Sequence, residues 1–496
     1  MNRRNTVWIM LLACCSLGLP RAQAMESLSL REVINEVIQH RPELEISNIE
    51  MALAENATRS LEGLLDPRFQ AQAGLSEEQT PVASSFQPTR QRTAQLSASI
   101  QKPLSSGDTL GLDARYTRLQ QSFNSPFAAQ LAAINPAYRS QINLNIRHPL
   151  AKGNEFPSYV LGKQAAREQE TAAYLQWKVT AYQLMLGAIN RFFTLAKDEL
   201  NIHYALLAVK RAERLLQYQK RRASLGLVEE TARLQAEALL SARKTQLQQA
   251  RLQYEIDRTE LNRFMIRPTQ ATVRIQLPPL PVIQSLDTGK ALQMATRQRP
   301  DFAVFDARIR AQEARLLMAR DQDRMQLDLV AELGTRSLAA SAGKAAASTL
   351  SINDKYAALS VEWSDALHRH QEKSAIREAE LTRQKLQAQK RQLAESVHDD
   401  LARLQSTISS LREVLRLAHR QLDTERRKFA AEMQLYREGR SDTHNLIQTE
   451  HDLYLAEQQW QTQQLSLELA CWQWQWATGA LVSWLPEFSG HMAPQP

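Results

Sequence analysis

The sequence predicts a mainly α protein with a membrane β-barrel, built from a duplicated strand/helix repeat. Three observations carry that prediction. Arg41-Pro42-Glu43-Leu44 returns as Arg299-Pro300-Asp301-Phe302, each copy following a short amphipathic stretch and leading through a helical run to a strand-like segment. Residues 371–438 hold neither Gly nor Pro and repeat their apolar residues at alternating spacings of three and four. Several segments near residues 70, 96, 112, 144, 330 and 360 alternate apolar with polar side chains. Beyond the first 24 residues no apolar run reaches the roughly 18 residues of a membrane helix, so a membrane crossing would have to be made by strands.

The 496-residue chain opens with Arg3 and Arg4, an apolar run over 7–19, the breaker Pro20, and Ala22-Gln23-Ala24. This reads as a secretory signal, 1–24, cleaved after Ala24. A rival reading takes Leu11-Leu12-Ala13-Cys14 as a lipoprotein signal with Cys14 lipidated. Under the first reading Cys14 and Cys15 are removed and Cys471 is left alone, without an intrachain disulfide.

The first repeat, 25–282, begins with a helical segment over 30–64. The alternating strands follow, with an insertion between 78 and 140. The offset between copies is about 258 at Pro42/Pro300 and falls to about 213 at Gly226/Gly439, which places the extra residues there. Within it, 94–102 and 109–118 flank Ser105-Ser106-Gly107-Asp108, a good turn, and make an additional hairpin that either joins the barrel or forms a flap. Leu96, Ala98 and Ile100, then Leu110, Leu112, Ala114 and Tyr116, then Leu144 and Ile146 line one face, with polar residues between them. A polar inner face suits a water-filled membrane barrel. A long helix, 158–224, carries Val179, Tyr182, Leu186, Ile189, Phe193, Leu200 and Leu207, and turns at Gly226 into a return helix, 229–265.

The second repeat, 283–484, follows the joint Leu277-Pro278-Pro279-Leu280-Pro281. It has a helix over 288–323, strands within 327–363 with a surface loop at 337–351, a long helix 371–438 of about 100 Å, and a return helix 441–481 with Ser441 as N-cap. Its seam runs through Leu386, Leu393, Val397, Leu401, Leu404, Ile408, Leu411, Leu415, Leu422, Phe429, Met433 and Tyr436. A tail, 485–496, completes the chain. Two shorter helices end to end match one long helix, which suggests an elongated helical barrel.

Net charge is +8 at pH 7, and acidic and basic residues interleave along the helices, as at Glu378, Glu380, Arg383 and Lys385; no nucleic-acid partner is indicated. His368 and His370 are two imidazoles without further ligands, too few for a metal site. Asp399-Asp400 reads as a solvated helix face, and Trp472, Trp474, Trp476 and Trp484 as packing. No nucleotide-binding loop occurs. Catalytic, cofactor-binding and metal-ligating residues are therefore not expected, and the chain is not read as an enzyme.

The paired Arg-Pro motifs, the proline-rich joint, the strand ends Gln101-Lys102-Pro103-Leu104 and Arg147-His148-Pro149-Leu150, and the two glycine turns together resemble the TolC-like outer-membrane efflux family, or outer membrane factors, across essentially the whole mature chain. The resemblance implies a homotrimer in the outer membrane of a Gram-negative bacterium. Each subunit would give four strands to a shared outer-membrane β-barrel and its helices to an α-helical periplasmic tunnel. It implies a passive exit duct of a tripartite efflux or type I secretion system, working with a periplasmic adaptor protein and an inner-membrane pump or ABC transporter. The adaptor-contacting tip would comprise Leu225, Gly226, Leu227 and Val228, and Glu438, Gly439, Arg440 and Ser441. Where the family often carries acidic rings at the tunnel entrance, this chain has Asn445 and Gln448, with Asp442 nearer the turn. Amides there would not supply a strong cation-attracting potential. The alternative is a structural periplasmic coiled-coil envelope protein without conduction. A specific porin is disfavoured by the long helices.

Overall fold

The computed structural model describes residues 26–84, 86–131, 134–154, 158–225, 230–283, 285–351 and 354–486. The signal, the lipidation candidate Cys14 and nearly all of the tail lie outside the described residues. In chain order the first copy holds β1 (Glu26–Ser29), α1 (Leu30–His40), α2 (Pro42–Ser60), β2 (Arg68–Gln79), β3 (Arg90–Pro103), β4 (Thr109–Ser122), α3 (Pro126–Leu131), β5 (Ala137–Pro149), α4 (Ser158–Ser224), α5 (Glu230–Phe264) and β6 (Val273–Gln276). The second holds α6 (Thr288–Gln298), α7 (Pro300–Gln322), β7 (Gln326–Ala339), α8 (Ala342–Leu350), β8 (Lys355–Ser364), α9 (His370–Arg437) and α10 (Thr443–Ala477). Corresponding helices agree closely in length: 11 residues in α1 and α6, 67 and 68 in α4 and α9, 35 in both α5 and α10.

The helices expected over 30–64 and 288–323 are each broken at the Arg-Pro motif. Proline lacks a backbone N–H and drives its predecessor out of the α region. Arg41 (φ −75°, ψ 128°) and Arg299 (φ −72°, ψ 131°) are accordingly extended, and α2 gives way to a 3-10 turn at Leu61–Leu65. In both copies the arginine then pairs with the acidic residue two positions on, Arg41 with Glu43 and Arg299 with Asp301. The repeated tetrapeptide thus encodes a helix break closed by an ion pair.

The chain divides into two compact units, both drawing on the two copies. One contains residues 45–179 and 299–396 and is organised around a six-stranded sheet of order β2-β3-β4-β5-β7-β8. Every neighbouring pair is antiparallel. The inserted hairpin therefore joins the sheet: β3 and β4 lie between β2 and β5, and the sheet has six strands where the resemblance implies four. The β3–β4 turn is closed by Leu104 N–H donating to Asp108 O at 2.8 Å. Its Gly107 has φ 93°, and a Cβ there would meet the Gly153 carbonyl at 2.6 Å, so both conformation and space demand glycine.

Register sorts the side chains into two faces. One row runs Phe69, Ile100, Leu112, Leu144, Leu333, Ala357; the adjacent row runs Gln70, Ser99, Asp113, Asn143, Gly334, Tyr356. Because side chains alternate along a strand, the first row shares its face with Leu96, Ile146, Leu359 and Trp363, and the second with Gln72, Ser97, Arg115, Gln141 and Glu332. The apolar row is open: Phe69 is 67% exposed, Leu333 59% and Leu144 46%. The segment 337–351, expected as a loop, contains α8. Its Ala-rich sequence favours helix, and it is tied down by Thr349 Oγ1 donating to Ser140 O at 3.2 Å and Thr335 Oγ1 donating to Thr349 O at 2.9 Å.

The other unit contains residues 26–44, 180–298 and 397–486 among those described. Strands β1 and β6 pair in parallel, and the seam residues Val397, Leu401, Ile408, Leu422 and Tyr436 of α9 are buried. Gly187 of α4 has a packing role, since a Cβ would come within 2.9 Å of Phe264. Two guanidinium groups lie over the Phe264 ring, that of Arg191 at 4.1 Å and that of Arg41 at 4.8 Å. Tyr182 stacks on Trp476 at 5.2 Å and Trp472 meets Trp484 at 5.4 Å, with Trp476 Nε1 donating to Tyr182 O at 2.8 Å. The tryptophans pack against aromatic and helical neighbours, and Cys471 is buried with a free thiol.

Candidate functional site

Both glycine-turn ends belong to this second unit, where α4 ends, α5 begins, α9 ends and α10 begins. Gly226, Leu227 and Val228 lie outside the described residues, whereas Leu225 is described and 70% exposed. The second turn is fully defined. Gly439, φ 74°, donates its N–H to Tyr436 O at 3.2 Å, and Arg440 donates to Leu435 O at 2.9 Å. These are the two bonds of a Schellman stop, which satisfies the last carbonyls of α9.

The N-cap of α10 is Asp442, in place of Ser441. The Asp442 carboxylate accepts from Asn445 N–H at 2.8 Å, while Ser441 Oγ donates to Glu432. A carboxylate at that position both satisfies an otherwise unpaired donor and complements the positive helix end. Asn445 and Gln448 are exposed on the first turns of α10. Gln448 donates to Asp452 at 3.2 Å, and Asp452 is paired with Lys428 of α9 at 2.7 Å. Asp452, one turn beyond Gln448, is thus tied to a lysine of the neighbouring helix.

Behind the turn, Ala212, Leu215 and Leu216 of α4, Ala236 and Leu239 of α5, Tyr436 of α9 and Leu446 of α10 form one apolar cluster. Gln219, fully buried, donates to Tyr436 Oη and, at 2.7 Å, to Thr443 Oγ1. Four helix ends are thereby joined by a small core and one polar knot.

Farther along lies a buried ionic network that the sequence reading missed. Glu450 accepts from Arg243 of α5 at 2.6 Å and from Arg211 of α4 at 3.1 Å, and Arg211 also reaches Glu457 at 2.9 Å. The Arg243 guanidinium lies over the Tyr454 ring at 4.5 Å. Burial raises the Tyr454 hydroxyl above its ordinary pKa. The available signal was spacing: Glu450 and Glu457 are one heptad apart in the stripe that also contains Leu446 and Leu453. Charged residues in such a stripe need buried partners.

Among the described residues no cluster of His, Cys, Asp and Glu has metal-binding composition, and His368 and His370 simply stack at 5.6 Å.

No protein-family profile matches the chain, and no curated protein matches it. Solved structures do. The outer-membrane channel OprN is 16% identical, with a TM-score of 0.64 over 91% of this chain and 89% of that one. The Campylobacter jejuni CmeC outer membrane channel is 14% identical, TM-score 0.61, over 91% and 85%. The outer membrane protein VceC of Vibrio cholerae is 14% identical, TM-score 0.61, over 91% and 96%. At such identity the likeness defines the fold: the chain has the TolC-like fold of outer-membrane channels, over nearly its whole length.

Proposed function

We propose that the protein is an outer-membrane export duct, the passive outer component of an efflux or type I secretion system of a Gram-negative envelope. The observation that carries this reading is the six-stranded sheet with one exposed apolar face and one polar face. No helix among the described residues is long and apolar enough to cross a membrane, so the oily strand face is the surface suited to lipid. The resemblance supplies the assembly: three copies around one axis, helices forming a periplasmic tunnel, and strands a shared barrel.

The closed end of that tunnel is assigned to the glycine turns. Leu225, Gly226, Leu227 and Val228 with Glu438, Gly439, Arg440 and Ser441 form the surface offered to a periplasmic adaptor, and Asp442, Asn445 and Gln448 border the entrance. An inner-membrane transporter and its adaptor would spread the helix ends, and cargo would then diffuse through a water-filled passage without chemistry by the duct itself.

Planar-bilayer recording of the purified mature protein tests the reading. Small, stable conductance steps that grow in an Asn445→Ala, Gln448→Ala variant are expected. Protein that inserts in membranes yet conducts in neither form would favour a structural envelope role.

A further inference from the structure

The sheet is left open in a way that specifies its partner. Strands β2 and β8 each pair on one side only among the described residues, so each presents a row of unpaired backbone donors and acceptors. Such a row is costly in hydrocarbon. The protein cannot close the sheet on itself and keep a wet interior, since membrane barrels begin at about eight strands and those are filled by side chains. A second chain must supply the missing edges.

Parity identifies that chain. With 6 strands in strict antiparallel order, β8 runs opposite to β2, so β8 of one copy continues the alternation when it meets β2 of the next. The two strands are also of similar length, 10 and 12 residues. Their side chains alternate in the same sense, Tyr356, Ser360 and Glu362 with the small Ala358 on one face of β8 and Gln70, Gln72 and Ser76 on the corresponding face of β2. A copy of this chain therefore matches the edge in direction, length and polarity.

Within the shared barrel of the proposed duct, we propose that the β3–β4 hairpin is part of the wall, so that each copy contributes all six strands and β8 of one copy meets β2 of the next. This rests on the trimeric duct reading, under which three copies of a 6-stranded sheet give an eighteen-stranded barrel. The four strands per copy implied by the resemblance would give twelve. The difference is the β3–β4 hairpin, whose two strands are fully registered with β2 and β5 over 12 and 11 residue pairs. The consequence is a wider exit. Eighteen strands is the size at which barrels enclose an open aqueous channel. The lumen is lined by Gln70, Ser97, Asp113, Arg115, Gln141 and Glu332, a mixed polar surface suited to water.

The test uses full-length protein in membranes on a Cys471→Ala background, with conductance recorded for every variant. Gln72→Cys is combined in turn with Ala358→Cys, Ser360→Cys and Glu362→Cys, and a short thiol cross-linker is applied. One of these pairs is expected to join separate chains into a ladder ending at three. In a second variant, Asp113→Cys with Asn143→Cys reports whether β4 lies beside β5, and an intrachain link is expected. Polymer added only on the barrel side then sizes the barrel, which should admit polymers that a twelve-stranded barrel would reject. Linkage of β2 to β8 without the Asp113–Asn143 link would leave the hairpin outside the barrel and overturn the proposal. Absence of interchain linkage in conducting protein would overturn it also. Cross-linked rings without conductance would retain the barrel and reject the duct, so the two readings fail separately.

Discussion

Arg243 of α5 and Glu450 of α10 face one another at 2.6 Å with 2% and 3% of their side chains exposed. Burial of both charges ties each to the other: a partner lost leaves an ion stranded in a low-dielectric interior, which costs about 3–5 kcal/mol. Glu450→Ala should therefore lower stability by about that amount in denaturant unfolding followed by helical circular dichroism. The double variant Arg243→Met, Glu450→Leu should recover most of it, because a packed apolar pair carries no desolvation penalty. A change below about 1 kcal/mol in the single variant would mean that water reaches the network.

Legibility of the chain divided along physical lines. Helix lengths, the two Arg-Pro motifs and the strand faces were readable because each repeats a local rule: 3.6-residue or heptad spacing, proline sterics, alternation. The break at Pro42 and Pro300 was misread because amphipathic spacing continues on either side, and spacing does not report a missing N–H. Helix α8 was hidden by the Ala, Ser and Gly content of 337–351, which suits loops as well as helices until Ser140 and Thr335 fix one end. The Arg211–Glu450–Arg243 network joins residues far apart in sequence, and no local pattern connects an arginine on α4 to a glutamate on α10.

Gly439 is required for its conformation alone. A Cβ there would meet nothing within 4 Å, yet φ is 74°, a region that costs an L-residue roughly 1–2 kcal/mol. Gly439→Ala should destabilise the α9–α10 turn by about 1 kcal/mol, and Gly439→Asn by less, since Asn tolerates the left-handed region. Equal losses in the two variants would assign the effect to something other than backbone strain.

Asp442 and Ser441 make opposite predictions about the start of α10. Since the cap is Asp442, Asp442→Ala should cost about 1 kcal/mol and speed amide exchange in the first turn, most of all at Asn445. Ser441→Ala should leave that exchange unchanged. Protection lost on altering Ser441 and kept on altering Asp442 would place the cap one residue earlier.

The Asp198 carboxyl of α4 is pushed up to about 7, by burial first and then by the adjoining Asp257 of α5. Its folded pKa thus exceeds its unfolded value near 3.8. The protonated form is the one the fold accommodates, so its contribution is fully present below about pH 4 and is lost as pH rises toward and through 7. Asp198→Asn should stabilise the protein above pH 7, on the order of 1–3 kcal/mol, with the gain vanishing near pH 4. A pH-independent gain, or none at pH 8, would refute the account by burial.

Leu144 and Asn143 are adjacent in β5 and point to opposite faces of the sheet, Leu144 in the apolar row and Asn143 in the polar one. If the apolar face meets lipid, Leu144→Arg should cost about 2–4 kcal/mol, the penalty for arginine near the bilayer midplane, and should reduce assembly into membranes. Asn143→Arg places the same side chain in the lumen, where water solvates it. That variant should assemble normally and shift conductance toward anions. Equal tolerance of arginine at both positions would remove the physical basis for a lipid-facing sheet, because a soluble sheet exposed on both faces has no reason to distinguish them.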